Sequence, residues 1–289
     1  MRRPAARPGY SAAMGPVLVL GDSRKKGVAA AVEAARPRLE KDFGIAATDL
    51  EGKLDLARVP AKWALVFGGD GAILAVSRRM GARPIPTIAV NLGRLGFLTE
   101  LQLEQLPEAL DRIRAGNVQI RDRTRLLAER GPWKVHALND VVVSASLVGR
   151  MFYVSLSIRG GEEIRYAGDG VVVASPTGST AYSLAAGGPI VDPDLDAIVV
   201  TPLCAHTLSQ RPIVVPGDHA VELWLRDGDP PGHVAVDGQE VKELRGGDRL
   251  RVTAAPEPFP LIRVGLRSYY ERLRDLLGWS GQPRYAGGV

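Results

Sequence analysis

Trp63-Ala64-Leu65-Val66-Phe67-Gly68-Gly69-Asp70-Gly71-Ala72-Ile73-Leu74-Ala75-Val76-Ser77-Arg78-Arg79-Met80 is the stretch whose reading decides the fold. Trp63 to Phe67 is a short apolar run that reads as a buried strand. Ala72 to Met80 carries its apolar residues at helical spacing. Between them, Gly68, Gly69 and Gly71 let the backbone come close to something bulky. The helix beyond points its free N–H groups and positive dipole end at the same spot. That combination makes a phosphate cradle, although it is also ordinary turn chemistry between a strand and a helix. Asp70 in its middle needs a different explanation, because a carboxylate repels phosphate. It either faces a metal or takes a proton from a nucleophile.

Outward from this turn the same alternation continues. Pro16 to Gly21 reads as a first strand, Gly27 to Lys41 as a helix, Thr87 to Asn91 as a further strand and Leu103 to Ala115 as a helix closed by Gly116. Alternating strands and helices imply a parallel sheet with right-handed crossovers. Ligands bind beyond the carboxyl ends of such strands, where both Gly68–Gly71 and Asn91–Gly96 lie. After about residue 120 the pattern changes. Val141–Val143, Phe152–Ile158, Gly170–Ala174, Ala197–Thr201, Ala220–Leu225, His233–Val236 and Leu250–Thr253 are short β-type runs between Gly, Pro and Asp turns. The expected organisation is a flexible tail over 1–13, an α/β domain over 14–120 and a β-rich domain over 121–265. A C-terminal helix (Tyr269 to Leu277) within 266–289 is expected to pack back on the first domain.

The 289 residues suffice for a sizeable core and two domains. The net charge of +5 is spread along the chain rather than gathered in a block, which disfavours nucleic acid and suits polyanionic small molecules. A single cysteine, Cys204, excludes an internal disulfide and suggests a reducing, cytoplasmic compartment. In its apolar context Cys204 reads as a small core residue. The four histidines show no metal-ligand spacing, so no metal site is assigned. No apolar stretch reaches the ~18 residues of a membrane span.

A second informative run follows the strand Gly170–Ala174: Ser175-Pro176-Thr177-Gly178-Ser179-Thr180-Ala181-Tyr182-Ser183-Leu184-Ala185. Its hydroxyls suit ribose, adenine edges and phosphate oxygens, and Tyr182 can flank a flat ring. Asn139-Asp140, just before a strand, can fork onto a ribose diol or an adenine edge.

Together these motifs resemble the NAD kinases. The resemblance runs from about residue 63 to 240. It takes in Gly68-Gly69-Asp70-Gly71, Asn91-Leu92-Gly93-Arg94-Leu95-Gly96-Phe97-Leu98 and Ala137-Leu138-Asn139-Asp140. It continues through Gly168-Asp169-Gly170, Ser175 to Tyr182, His206-Thr207-Leu208-Ser209 with Arg211-Pro212, and Asp237-Gly238-Gln239. The glycine turn alone is shared with lipid kinases and phosphofructokinases; the Pro-Thr-Gly-Ser-Thr-Ala-Tyr run in this order with the others is much more specific.

The resemblance implies an NAD kinase-like fold of two domains and transfer of the terminal phosphate of ATP, or of polyphosphate, to the 2′-hydroxyl of the adenosine ribose of NAD, giving NADP. It implies Asp70 as general base. Gly68, Gly69 and Gly71 would meet the donor phosphates, with Mg²⁺ bridging them. Substrate contacts would come from Gly71, Asn139, Asp140, Arg150, Asp169, Thr180, Ala181, Tyr182, Ser183, Leu184, Ala185 and Gln239. A homo-oligomer, dimer or tetramer, is implied because a neighbouring subunit often completes the family's site. Two positions depart from the family pattern: Ala72 stands where a hydroxyl residue is common, and Ala167 where a larger, often basic one is. A related small-molecule or lipid kinase and a catalytically weak dinucleotide-binding regulator remain the alternatives. The donor, and the choice between NAD and NADH, stay open.

Overall fold

The computed structural model describes residues 15–93, 96–146, 151–207 and 209–279. They divide into two compact units. One holds the described residues within 15–73, 85–120 and 261–279; the other holds those within 74–84 and 121–260.

The first unit is built on a seven-stranded sheet in the order Ile45–Asp49, Val17–Gly21, Trp63–Phe67, Thr87–Asn91, Phe259–Arg263, Gln119–Arg123, with Leu101–Gln102 beside Thr87–Asn91. The pairings around its three central strands are parallel. Those strands are continuous apolar runs because both faces are covered. Val17, Val19, Trp63, Leu65 and Phe67 share one core with Val28, Val32 and Leu39 of the helix Val28–Asp42, and with Leu110 and Ile113 of the helix Leu106–Arg114. The intervening Leu18, Leu20, Ala64 and Val66 are equally buried.

The stretch read as one helix from Leu103 is in fact a 3₁₀ turn, Leu103–Gln105, closed by a Gln102/Gln105 capping box, and then the α-helix Leu106–Arg114. Pro107 sets the second start, since its missing N–H is harmless only in a first turn. The strand Phe259–Arg263 lies inside the stretch expected to be β-rich, yet its Leu261 pairs in parallel with Thr87. The helix Tyr269–Leu277 has the expected bounds and starts on a Ser268/Glu271 capping box.

The second unit contains two six-stranded sheets. One runs Ile164–Gly168, Phe152–Ile158, Val221–Trp224, Arg249–Ala254, Leu126–Arg130, Trp133–Ala137. The other runs Ile213–Pro216, Ala197–Leu203, Gly170–Ala174, Asp140–Ala145, Gly232–Val236, Gln239–Leu244. All their pairings are antiparallel. Val141, Val143, Val171, Val173, Ile198 and Val200 face a core shared by both sheets, with Leu156, Leu223 and Val252 opposite. Val142, Val172, Ala174 and Val199 point the other way, into a smaller cluster closed by Val191. The two valine triplets are therefore solid apolar runs in an antiparallel sheet, where alternation is the rule. The register sets Ala174 against Asp140 at one end of this pair and Gly170 against Ser144 at the other.

Candidate active site

In the first unit, the chain leaves the strand Trp63–Phe67 through Gly68, whose N–H bonds Val90 O at 2.9 Å. A Cβ on Gly68 would lie 2.6 Å from that of Ala72, so the turn closes this tightly only with glycine. Gly71 is different: beyond its chain neighbours and the helix's own backbone, no atom of the described residues lies within 4 Å of where its Cβ would sit. Glycine there leaves open space beside the start of the helix Asp70–Met80.

Asp70 is the first residue of that helix, and its carboxylate is held by the loop after Gly96. Phe97 N–H donates to Oδ2 at 2.7 Å. Oδ1 accepts Leu98 N–H at 3.1 Å, Thr99 N–H at 3.0 Å and the Thr99 hydroxyl at 3.2 Å. A Cβ on Gly96 would sit 2.2 Å from Oδ1, so only glycine lets this loop close on the carboxylate. Oδ1 is surrounded by three donors, whereas Oδ2 accepts only Phe97 N–H and keeps a lone pair, so both alternatives open for Asp70 from sequence, proton acceptor and metal ligand, fit this arrangement.

In the second unit, Asn139, Asp140, Ala181 and Tyr182 line one pocket of about 400 Å³, together with Leu74, Val142, Ser144, Ala235, Asp237 and Gly238. Its walls combine the aliphatic Leu74, Val142, Ala181 and Ala235 with convergent polar groups of Asn139, Asp140, Ser144, Tyr182 and Asp237, a mixture that suits a small-molecule site. Asp237 was not singled out from sequence, yet it organises this pocket. It and Gly238 form the two-residue turn between Gly232–Val236 and Gln239–Leu244, with φ of 49° and 76°. Positive φ at both positions is what a tight hairpin needs, and Asp tolerates it better than most residues. The Asp237 side chain is fully buried. It accepts N–H groups from Leu138 at 3.0 Å, Asn139 at 2.7 Å and Asp140 at 3.3 Å, and faces Arg78 at 3.4 Å.

Burial raises the Asp140 carboxyl from its ordinary 3.8 to about 7. The neighbouring Asp237 charge pushes the same way, and the Tyr182 N–H it accepts pulls back. Asp237 is also raised, by burial, against the pull of its backbone donors and Arg78. An acid raised this far by burial inside a pocket is a candidate for a functional role.

The hydroxyl-rich run divides in two. Ser175, Ser179 and Ser183 are fully buried and bonded within the fold. Ser175 Oγ donates to Leu138 O at 2.6 Å, Ser179 Oγ donates to Pro176 O at 2.6 Å, and Ser183 Oγ pairs with Thr201 Oγ1 at 2.8 Å. The Thr180 hydroxyl donates to Thr177 O at 3.2 Å. These groups shape the run. Tyr182 is half exposed and opens the short helix Tyr182–Ala185, which also carries Leu184 and Ala185. Gly178 approaches Asn139 so closely that a Cβ would lie 2.0 Å from Asn139 O. The run therefore sits directly on the Asn139-Asp140 segment.

Asp169 stands at the far end of the same strands, where its N–H bonds Leu203 O at 2.9 Å. Its carboxylate accepts the Cys204 thiol, which raises the thiol pKa. Cys204 is exposed and at φ 45°, not the core residue its apolar context suggested. Gln239 is exposed, next to the turn. Ala167 lies in the strand Ile164–Gly168, opposite Tyr153. Arg150, and Arg94, Leu95 and Leu208 of the quoted motifs, lie outside the described residues.

Two family models match the chain: the ATP-NAD kinase N-terminal domain over residues 45–118 and the ATP-NAD kinase C-terminal domain over residues 138–264. An NAD kinase of Geobacter sulfurreducens is 40% identical over 226 residues, 76% of this chain and 80% of its own. One of Geotalea daltonii is 36% identical over 248 residues, 84% and 86% of the two chains. Among solved structures, an NAD kinase from Archaeoglobus fulgidus in complex with ATP aligns with a TM-score of 0.71 at 25% identity, over 91% of this chain and 97% of that one. Yeast NADH kinase complexed with NADH aligns with a TM-score of 0.81 at 22% identity, over 96% and 92%, and shares the fold.

Proposed function

Since the chain belongs to the NAD kinase family, we propose that it makes NADP by passing the terminal phosphate of ATP to the 2′-hydroxyl of the adenosine ribose of NAD, with Asp70 taking the proton. The observation that carries this reading is the Asp70 carboxylate, held by four donors at the start of a helix whose second residue, Gly71, leaves open space beside it. A sugar hydroxyl is a weak nucleophile, and a fixed acceptor for its proton helps as it attacks. The rest of phosphoryl transfer is positioning and charge neutralisation.

In this reading Gly68, Gly69 and Gly71 offer backbone N–H groups to the donor phosphates. Asn139 and Asp140 receive the nucleoside, and Tyr182 flanks a ring. Asp169 meets the nicotinamide side. The backbone of Thr180, Ala181, Ser183, Leu184 and Ala185 lines the dinucleotide, and Arg150 and Gln239 reach its polar groups. Mg²⁺ would be held by the donor phosphates, where it would neutralise their charge. Polyphosphate remains the second donor to assay.

Two further readings complete the picture. The single cysteine supports a reducing, cytoplasmic setting, and no helix among the described residues is long and apolar enough to cross a membrane. The edge strand Ile213–Pro216 leaves Ile213 and Val214 exposed at 42% and 46%, which supports a second copy of the chain covering it. A monomeric mass by light scattering at working concentration would exclude that assembly.

The deciding assay is NADP formation from NAD with ATP and Mg²⁺, wild type beside Asp70→Asn. Turnover in the variant should fall by roughly a hundredfold or more while NAD still binds. Near-normal turnover would remove Asp70 from the role of base.

A further inference from the structure

Asp70 has two carboxylate oxygens in unequal surroundings. Oδ2 accepts one donor, Phe97 N–H; Oδ1 accepts three, two of which come from Thr99. A carboxylate oxygen offers about two lone-pair sites, so the backbone N–H groups of Leu98 and Thr99 already fill Oδ1, the Thr99 hydroxyl is a third donor that fixes the rotation of the carboxylate, and Oδ2 keeps capacity for one more hydrogen. Thr99 is fully buried, and its hydroxyl is fixed from both sides: it donates to Asp70 and its oxygen accepts Gly96 N–H at 3.1 Å. Its β-branched side chain also has few rotamers to choose from. The loop that carries it is braced in turn. Arg263 donates to Leu98 O at 3.3 Å and lies 3.7 Å from Glu100, and Glu100 accepts Leu266 N–H at 2.9 Å.

We propose that Thr99 is a positioning residue: it ties down Oδ1 of Asp70 so that Oδ2 is the atom that takes the substrate proton. This rests on the general-base reading of Asp70. As the ribose oxygen bonds the transferred phosphorus, its O–H bond breaks and the proton goes to Oδ2. The bond from phosphorus to the ADP oxygen breaks with its electron pair leaving on ADP. Thr99 touches none of the reacting atoms. Its hydroxyl fixes the rotation of the carboxylate, while the backbone donors fill Oδ1 and leave the proton to Oδ2.

The test compares Thr99→Val, which keeps the shape and removes the hydroxyl, with Thr99→Ser, which keeps the hydroxyl. Asp70→Asn is assayed alongside. Steady-state turnover is measured in NAD and in ATP, with thermal melts of the same preparations. The Val variant should lose roughly tenfold in kcat, a modest part of what a positioned base contributes, with KM for NAD within about twofold. The Ser variant should return to within about twofold of wild type. Unchanged kcat in the Val variant overturns the proposal. So does a loss shared between kcat and KM that Ser fails to restore, since that is what a merely structural threonine would give. Should the Val variant melt below the assay temperature, Thr99→Ala is read against the same expectations. Normal turnover in Asp70→Asn overturns the general-base reading and the role of Thr99 with it, whereas a collapsed Asp70→Asn beside an unimpaired Thr99→Val overturns the role of Thr99 alone.

Discussion

Replacing Asp237 by alanine should cost the β-rich unit about 3 kcal/mol, and the figure can be built from its contacts. The substitution strips the acceptor from three backbone N–H groups, those of Leu138, Asn139 and Asp140. Leu138 and Asp140 are buried and Asn139 partly so, which puts the loss near ~1 kcal/mol for each, the low end for orphaned donors. An alanine held at φ 49° adds ~1 kcal/mol, because left-handed backbone crowds its Cβ. Arg78 loses its partner as well. Against this, removing a like charge beside Asp140 returns part of the loss, leaving a net near ~3 kcal/mol. For a unit of this size that lowers the melting temperature by roughly 6–12 °C. Asp237→Asn keeps a carbonyl acceptor and tolerance of left-handed backbone, so it should lose less than half as much. Calorimetric melts of the full chain measure all three proteins. An alanine variant melting within about 2 °C of wild type would refute the idea that this carboxylate holds the Asn139-Asp140 segment in place.

Two further outcomes are expected. Gly178→Ala places a Cβ 2.0 Å from Asn139 O and 2.5 Å from its carbonyl carbon, backbone atoms that cannot swing aside. NAD affinity should fall more than roughly tenfold with ~1–3 kcal/mol of lost stability, and unchanged binding by calorimetry would show that the segment can shift freely. Asp140 is raised to about 7 from 3.8, so between those values the folded chain keeps a proton that the unfolded chain has released. Its contribution to stability is therefore full below about pH 4 and declines as pH rises towards 7. Over the same range the ionised form becomes available to accept ribose hydroxyls, so KM for NAD should fall as pH rises through 7. Asp140→Asn should flatten both profiles, and identical slopes in the variant would remove Asp140 as their source.

Much of this was legible in the chain. Trp63–Phe67 and the glycines after it announce a strand, a turn and a helix. The family was legible because several short motifs fall in one order, and the relatives that match are NAD kinases, with nothing among them favouring a lipid kinase or a silent regulator. Other features were not legible, each for a physical reason. A serine hydroxyl serves a ligand or the fold with equal ease, so Ser175, Ser179 and Ser183 could not be told from ligand-facing groups until their bonds to Leu138, Pro176 and Thr201 were visible. Asp237 reads as half of a hairpin turn, and its contacts lie nearly a hundred residues upstream. Three of the four donors to Asp70 are backbone N–H groups of Phe97, Leu98 and Thr99, which carry no side-chain signature, and the fourth, the Thr99 hydroxyl, lies 29 residues further along the chain.

The antiparallel register of Gly170–Ala174 against Asp140–Ala145 makes the sheet a measuring stick. Asp140 is fixed opposite Ala174, and Asp169 immediately precedes Gly170. The five steps from Asp169 to Ala174, at ~3.3 Å each, set these two acids roughly 16 Å apart along the strand. That length is written in hydrogen bonds rather than in flexible loop, so it cannot drift by fractions of an ångström. It can change only in whole residues, and a single insertion would also turn Val171–Val173 over to the opposite face. A molecule long enough to engage both acids is thus gauged by a count of residues, and the valine triplet that looks like mere core filling is what keeps the gauge from slipping.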